Sequence, residues 1–311
     1  MDLRPLWLAL GLTLAGCAAL PPSPVAEAVQ LVGVPAHAQE ELQCGPAALS
    51  SALQASGVET SPEALKKDLF IPARGGSLQV ELLAQTRRHG RLPVQLPAEE
   101  AALIAALRDG LPPLVLLNLG VRSYPVWHYA VLVGYDPEQG YLLNDGKAEP
   151  SRYSRRSFLR RWDWAGRWAL LVSRPEQIPE PVRPPDWIAA AAPLERSAPP
   201  LAATAYRVAA QRWPEQALVQ AALGAERYAA GDLAASVQAL RKAVALEPDN
   251  AAYANNLANV EWARGCATAA RTALAKFDLA ALPPALAASL GQTIAEISAA
   301  PAAACPDPAA P

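Results

Sequence analysis

One short segment, residues 39–49, constrains the fold more than any other part of the chain. It reads Gln39-Glu-Glu-Leu-Gln-Cys44-Gly45-Pro46-Ala-Ala-Leu49, so a polar approach ends at a cysteine and an apolar run begins. The pattern predicts a helix over 44–55, with Cys44 in its first turn. At that position the helix dipole and the unsatisfied N–H groups favour a thiolate, which is the nucleophilic form of cysteine.

A histidine at the head of a later strand is the candidate partner of this cysteine. His128 lies at the start of an apolar run, Trp127 to Tyr135, that predicts a strand. A rigid strand would present the imidazole to a cleft, where an imidazolium would form an ion pair with the Cys44 sulfur. The alternative interpretation is a histidine that only packs against Trp127 at the end of a strand.

A carboxylate and an amide complete the predicted site. Asp145 follows the predicted strand Gly140 to Asn144, and it would accept the second ring N–H of the histidine. Asn144 is the alternative acceptor, through its amide oxygen. Because neighbouring residues on a strand point to opposite faces, only one of the two can serve, and Asp145 is favoured. Gln39 would donate its side-chain amide to the developing oxyanion, beside the N–H of the cysteine.

The N-terminal residues are typical of an export signal and are kept apart from the fold. Leu6 to Ala15 is apolar but too short to span a bilayer permanently, and it ends in Leu14-Ala15-Gly16-Cys17, which resembles a bacterial lipobox. We therefore predict a signal peptide over 1–16, lipidation of Cys17 and a tether over 17–28. The alternatives are an ordinary signal peptide or an internal hydrophobic helix. The residue after the cysteine is alanine, so the expected location is the outer membrane, facing the periplasm.

The remaining cysteines and histidines have other predicted roles. In an oxidising periplasm Cys266 and Cys305 would form a disulfide, whereas the alternative leaves both unpaired. His37 is expected at the rim of the cleft and His89 on the surface. No spacing typical of a metal site occurs, and we predict no cofactor. A net charge of −2 gives no reason to expect a nucleic-acid partner.

The order of the predicted elements divides the chain into two domains. From 29 to 174 helices come first and a sheet follows, which predicts an α+β domain. Residues 175–200 are proline-rich and are predicted to be a linker. An all-helical domain over 201–300 and a tail over 301–311 complete the chain. The predicted helices of the first domain begin at 44, 62, 98 and 154 and after Ser77, and its strands cover 92–96, 114–119, 127–135, 140–144 and 168–173.

A repeated pattern in the helical domain indicates a specific architecture. Its residues match a tetratricopeptide unit, and several recur one unit later. The matching positions are Leu223-Gly224, Tyr228, Gly231-Asp232, Ala243 and Pro248, followed by Leu257-Ala258, Trp262 and Gly265. A final helix over 285–298 would cover the last apolar face. The alternative is an alanine-rich helical bundle without repeat geometry.

Over roughly residues 29–174 the chain resembles the bacteriocin-processing, double-glycine-leader cysteine peptidases of the papain clan. The matching positions are Gln39, Cys44-Gly45, His128 and Asp145. The resemblance implies a papain-like fold with a Cys-His-Asp triad and a glutamine oxyanion donor. The family usually has Asp-Pro where this chain has Asp145-Gly146, and its glutamine lies one residue farther from the cysteine. Cleavage after a double glycine is therefore not carried over.

Lipobox, peptidase-like domain and repeats together resemble a group of proteobacterial lipoproteins described as family cysteine peptidases. The expected function is that of a lipid-anchored cysteine peptidase, or hydrolase, facing the periplasm, whose helical repeats bind a protein partner or the substrate. Two alternatives remain open. The same thiol chemistry would serve an acyltransferase or amidase acting on cell-wall or small-molecule amides. A catalytically inactive protein-binding lipoprotein would use only the repeats.

Overall fold

The computed structural model describes residues 22–38, 43–74, 76–299 and 305. The predicted signal peptide, the predicted lipidation site Cys17 and the predicted oxyanion donor Gln39 lie outside these residues. The described chain has a mixed α/β part built on an antiparallel sheet, followed by a helical part. Within the described residues, none of the helices combines the length and the apolar character needed to cross a membrane.

A single seven-stranded sheet organises the first part. Its strands are β1 (Val29–Gln30), β2 (Leu92–Gln95), β3 (Leu114–Asn118), β4 (Trp127–Asp136), β5 (Gly140–Asn144), β6 (Ser151–Tyr153) and β7 (Ala169–Ser173). The strand order is β2-β7-β3-β4-β5-β6, and each pairing is antiparallel. The short β1 pairs with the far end of β4, where Val29 lies opposite Tyr135. Strand β4, which carries His128, therefore lies in the interior of the sheet between β3 and β5.

Among the described residues the helices occur between the strands and after them. They are α1 (Cys44–Ala55), α2 (Pro62–Leu69), α3 (Gln79–Arg88), α4 (Glu100–Arg108), α5 (Arg155–Asp163), α6 (Pro184–Ala191), α7 (Leu194–Ser197), α8 (Pro199–Arg212), α9 (Ala217–Ala229), α10 (Leu233–Leu246), α11 (Ala251–Ala263), α12 (Ala267–Leu274) and α13 (Pro284–Ser298). Ser61 caps α2, whose start at residue 62 the sequence predicts, by accepting the N–H of Ala64 at 3.2 Å. Ser77 does not cap α3, which begins two residues later.

The sheet is buried on both faces, because residues alternate between two cores. Leu114 and Leu116 of β3 pack with Leu49 and its neighbours on the face covered by α1, α2 and α3. Val115 and Leu117 point the other way, to the face covered by α4, α5, α6 and α8. The helix that begins at Cys44 therefore packs on one face of the sheet through apolar contacts.

The segment 175–200, predicted as a linker, instead contains α6, α7 and the start of α8. Trp187 of α6 is fully buried, and its indole N–H donates to the carbonyl of Ala205 in α8 at 2.9 Å. Both helices belong to the same core as the second face of the sheet. The prolines start helices here rather than keeping the chain extended, since proline is compatible with the first helical turn.

The end of the predicted tether also packs against the domain. Tyr135 forms hydrogen bonds with the hydroxyl of Ser23 and with the carbonyl of Val25. Arg155 donates to the carbonyl of Pro22 at 3.3 Å. Residues 22–28 therefore run along the domain surface near the Tyr135 end of β4.

The helical part is built from pairs of antiparallel helices. The pair α11 and α12 begins 34 residues after the pair α9 and α10, at Ala251 and Ala267 against Ala217 and Leu233. Gly224 permits the close approach of α9 and α10, because a Cβ there would lie 2.6 Å from the Cγ of Leu240. A disulfide joins Cys266, just before α12, to Cys305 in the tail, with the Cα atoms 4.4 Å apart.

Candidate active site

The candidate nucleophile is the first residue of α1. Main-chain N–H groups of Tyr129, Gly45 and Cys44 itself lower the pKa of the thiol, but burial has the larger effect and raises the pKa overall. Tyr129 directly follows His128 on β4, so the thiol lies against the strand that carries the predicted histidine. No hydrogen bond joins the thiol to the His128 ring within the part of the chain that the structure describes.

Gly45 leaves room for a neighbour beside the nucleophile. A Cβ at this position would overlap the hydroxyl and the Cβ of Ser77. The Ser77 carbonyl also accepts the hydroxyl of Tyr129 at 3.4 Å. Ser77, after which the sequence predicts a helix, therefore packs between Gly45 and Tyr129, whose N–H groups lower the pKa of the thiol.

The ring of His128 has a defined tautomer. Its Nε2 lies 3.0 Å from the main-chain oxygen of Asp145. Because a carbonyl oxygen can only accept, Nε2 carries the proton, and the neutral ring keeps a lone pair on Nδ1. The neutral ring can therefore accept a proton at Nδ1.

The carboxylate of Asp145 is held by other groups. Ser151 donates to Oδ1 and the hydroxyl of Tyr153 donates to Oδ2, each at 2.9 Å, and the Lys147 ammonium lies 3.7 Å from Oδ2. Asp145 therefore meets the histidine through its main chain, whereas the sequence predicted a contact through its carboxylate. The difference arises because β6, a strand not predicted from the sequence, brings two hydroxyl donors to this carboxylate.

Burial favours the uncharged forms of three side chains around this site, His128, Tyr153 and Cys44. The pKa of His128 is lowered, chiefly by burial, although the carbonyl and the charge of Asp145 oppose the shift. Burial and the bond to Asp145 raise the pKa of Tyr153 to about 12, so its hydroxyl stays a donor. Together with the raised pKa of Cys44, these directions favour a neutral thiol and a neutral imidazole at rest. These pKa shifts therefore disfavour the thiolate–imidazolium ion pair that the sequence predicts.

Comparisons with known proteins give a limited set of similarities. The sequence matches no protein-family model, and a search of curated proteins finds no match. One similar solved structure is a double-glycine-motif protease from an AMS/PCAT transporter in complex with the leader peptide, at 20% identity and a TM-score of 0.36. Another is the peptidase domain of Streptococcus ComA, a bifunctional ABC transporter of a quorum-sensing pathway, at 18% identity and a TM-score of 0.37. The similarity covers 96% and 98% of those chains and 46% and 45% of this one.

Asn144, the alternative partner of the histidine, is directed elsewhere. Its Nδ2 donates to the carbonyls of Val34 and Pro35, at 3.4 and 3.2 Å. Its Oδ1 is buried and has no hydrogen-bond partner among the described residues. The amide therefore contacts the segment that leads to the nucleophile and not the imidazole.

The other two histidines are held by helix groups. Nε2 of His37 lies 3.2 Å from Oε1 of Gln54 and 3.3 Å from the hydroxyl of Ser50, both on α1. Nδ1 of His89 donates to the carbonyl of Gln85 at 2.8 Å, at the end of α3. Among the described residues, no group of three His, Cys, Asp or Glu side chains could hold a metal ion.

An ordered apolar hairpin lies beside His128 and was not identified from the sequence. The exposed large side chains here are Leu119, Val121, Tyr124 and Val126 between β3 and β4, and Trp127 at the start of β4. Buried Asn118 orders this loop, because its Oδ1 accepts the N–H groups of Gly120 and Val126, both at 3.0 Å. An ordered loop that exposes this much apolar surface is typical of a binding surface.

Proposed function

We propose that this protein is a cysteine peptidase with a papain-like catalytic domain. In the first step the sulfur of Cys44 attacks the carbonyl carbon of a peptide bond while Nδ1 of His128 takes the thiol proton. The resulting oxyanion would accept hydrogen bonds from the N–H of Cys44 and from the side chain of Gln39. Return of the proton from His128 to the leaving nitrogen breaks the C–N bond and leaves a thioester.

The second step releases the enzyme. Nδ1 of His128 takes a proton from water, the hydroxide oxygen attacks the thioester carbon, and the sulfur leaves with the proton that the histidine returns. One observation supports the assignment above all others. The Asp145 carbonyl fixes the proton of His128 on Nε2 and leaves Nδ1 free to act as base, and the N–H of the next residue on the strand, Tyr129, lowers the pKa of the thiol.

The substrate side of the proposal rests on the apolar hairpin. Tyr124 and Trp127 are 81% and 52% exposed, and Trp127 directly precedes His128. Apolar side chains of a peptide would lose contact with water on this surface, next to the bond that is cut. We therefore assign the hairpin to binding a peptide or protein substrate.

The location and the partner of the helical part belong to the same proposal. Acyl chains on Cys17 would hold the protein at the outer membrane, facing the periplasm. The strand β1 joins β4 at Tyr135, seven residues from His128, which at about 3.3 Å per residue corresponds to about 23 Å. The catalytic end of β4 would therefore lie away from the anchor. Helices α9 to α12, spaced like tetratricopeptide repeats, would bind a protein partner or the substrate.

Covalent capture of the thiol tests the proposal. A peptide epoxide should label Cys44, and His128→Ala should lower the rate constant of labelling at neutral pH at least about a hundredfold, because the base is lost. His89→Ala is the matched control, since that histidine only binds the end of α3. Equal labelling of the wild type and His128→Ala would remove the support for catalysis. Comparing a peptide library with purified sacculi then separates a peptidase from a cell-wall amidase.

A further inference from the structure

One carbonyl oxygen joins the helix of the nucleophile to the strand that precedes Asp145. The carbonyl of Pro35 accepts the hydroxyl of Ser51, on α1, at 2.7 Å. It also accepts Nδ2 of Asn144, at the end of β5, at 3.2 Å. The same Nδ2 lies 3.4 Å from the carbonyl of Val34. The side chain of Asn144 therefore reaches from the sheet to the segment just before the nucleophile.

The rest of that segment is bound along α1. Nε2 of His37 is within hydrogen-bond distance of Ser50 and Gln54. Val34 is packed against the core on the α1 face. Residues 34–37 and α1 are therefore joined by several contacts, so a group that fixes this segment also acts on the placement of α1.

The Oδ1 atom of Asn144 indicates that this side chain does more than stabilise the fold. Its side chain is buried, with only 6% of the residue exposed, and Oδ1 has no hydrogen-bond partner among the described residues. An unpaired buried acceptor costs free energy, whereas an apolar residue of similar size would avoid that cost. The contacts made by Nδ2 explain why an amide occupies this position.

We infer that Asn144 is a positioning residue that fixes the nucleophile helix relative to the histidine. It acts through Pro35 and Val34 on one side, while the next residue, Asp145, holds His128 through its carbonyl. Asn144 thus acts on the helix that carries Cys44, and the adjacent Asp145 acts on His128. The inference rests on the proposed function, because it assumes that Cys44 and His128 react together.

Saturation labelling measures the predicted effect. With a peptide epoxide, Asn144→Leu should lower the maximal rate constant for labelling of Cys44 about tenfold, since small displacements of reacting groups slow the chemical step. The epoxide concentration at half saturation should not change, because the amide does not face the apolar hairpin. The thermal midpoint should change little, because the substitution also removes the unpaired Oδ1.

Asn255 of α11 provides the matched control. Its Nδ2 donates to the hydroxyl of Ser289 at 3.2 Å, and its Oδ1 is also buried without a partner among the described residues. Asn255→Leu should label at the wild-type rate. A second variant, Ser51→Ala, removes the helix side of the shared Pro35 contact and should lower the same rate constant by a smaller factor. It also supplies the test if Asn144→Leu does not fold.

The outcomes separate this inference from the proposed function. If the wild type is not labelled at all, the proposed function fails and the inference fails with it. If the wild type is labelled and both Asn144→Leu and Ser51→Ala match its maximal rate constant, the inference alone is overturned. An equal loss in Asn144→Leu and Asn255→Leu would also overturn it, because the effect would then be one of general stability.

Discussion

The α/β part and the helical part both depend on a glycine at a close contact, but with different consequences. Gly45 makes room for Ser77 beside a thiol, and Gly224 makes room for Leu240 between two helices. The buried polar side chains of the two parts differ in the same way. Asp145 is held at the end of the sheet next to a histidine, whereas buried Glu261 binds Arg241 at 2.6 Å and joins helices. Close contacts in the first part surround the candidate site, and those in the second part fasten helices together.

The two glycines offer the largest test of this difference. Gly45→Ala would push its methyl group into Ser77 and displace the first turn of α1, so labelling of Cys44 should fall at least about a hundredfold. Gly224→Ala would push a methyl group into Leu240 and should cost about 1–3 kcal/mol of stability, as overpacked cores do. Its labelling rate should stay at the wild-type value. Both predictions are checked by measuring the labelling kinetics and the thermal unfolding of the two variants. Equal labelling rates for Gly45→Ala and Gly224→Ala would contradict the proposed difference between the two parts.

A smaller effect is expected from the carboxylate of Asp145. Asp145→Asn keeps the main-chain oxygen that binds Nε2 of His128, and it replaces the charge and one acceptor oxygen of the side chain by an NH2 group. The labelling rate constant should therefore fall about tenfold, far less than the roughly ten-thousandfold loss seen when a carboxylate contacts the ring directly. A loss as large as that of His128→Ala would mean that the carboxylate turns to the ring during the reaction. Measuring both variants with the same peptide epoxide decides between the two.

The elements with strong local patterns were predictable from the sequence. The helix that begins at Cys44 and the strand that carries His128 occur where the apolar pattern predicts them. Strands β1 and β6 were not predicted, because two or three residues carry too little pattern. Trp187 in the proline-rich segment shows a different limit. Its burial depends on contacts with α8 and the sheet, which no local pattern reveals.

The candidate site was predictable in its residue types but not in its contacts. The sequence pointed to Cys44, His128 and Asp145. In the structure Asp145 meets the His128 ring through its carbonyl, and the N–H of Tyr129, the residue after His128, lowers the pKa of the Cys44 thiol. Which oxygen of Asp145 meets the ring depends on Ser151 and Tyr153, which arrive with the unpredicted β6. The direction of Asn144 depends on the path of residues 34–37. Contacts between segments distant in sequence require the folded structure.

The pH dependence of labelling tests the central claim, that His128 is the base for Cys44. Burial lowers the pKa of His128 from its usual value of 6.5, and only the neutral ring can take the thiol proton. Labelling of the wild type by a peptide epoxide should therefore fall with acidification, with a midpoint below pH 6.5, and the His128→Ala variant should lack this transition. Identical profiles for the two proteins, each following only the ionisation of a thiol at alkaline pH, would contradict the account.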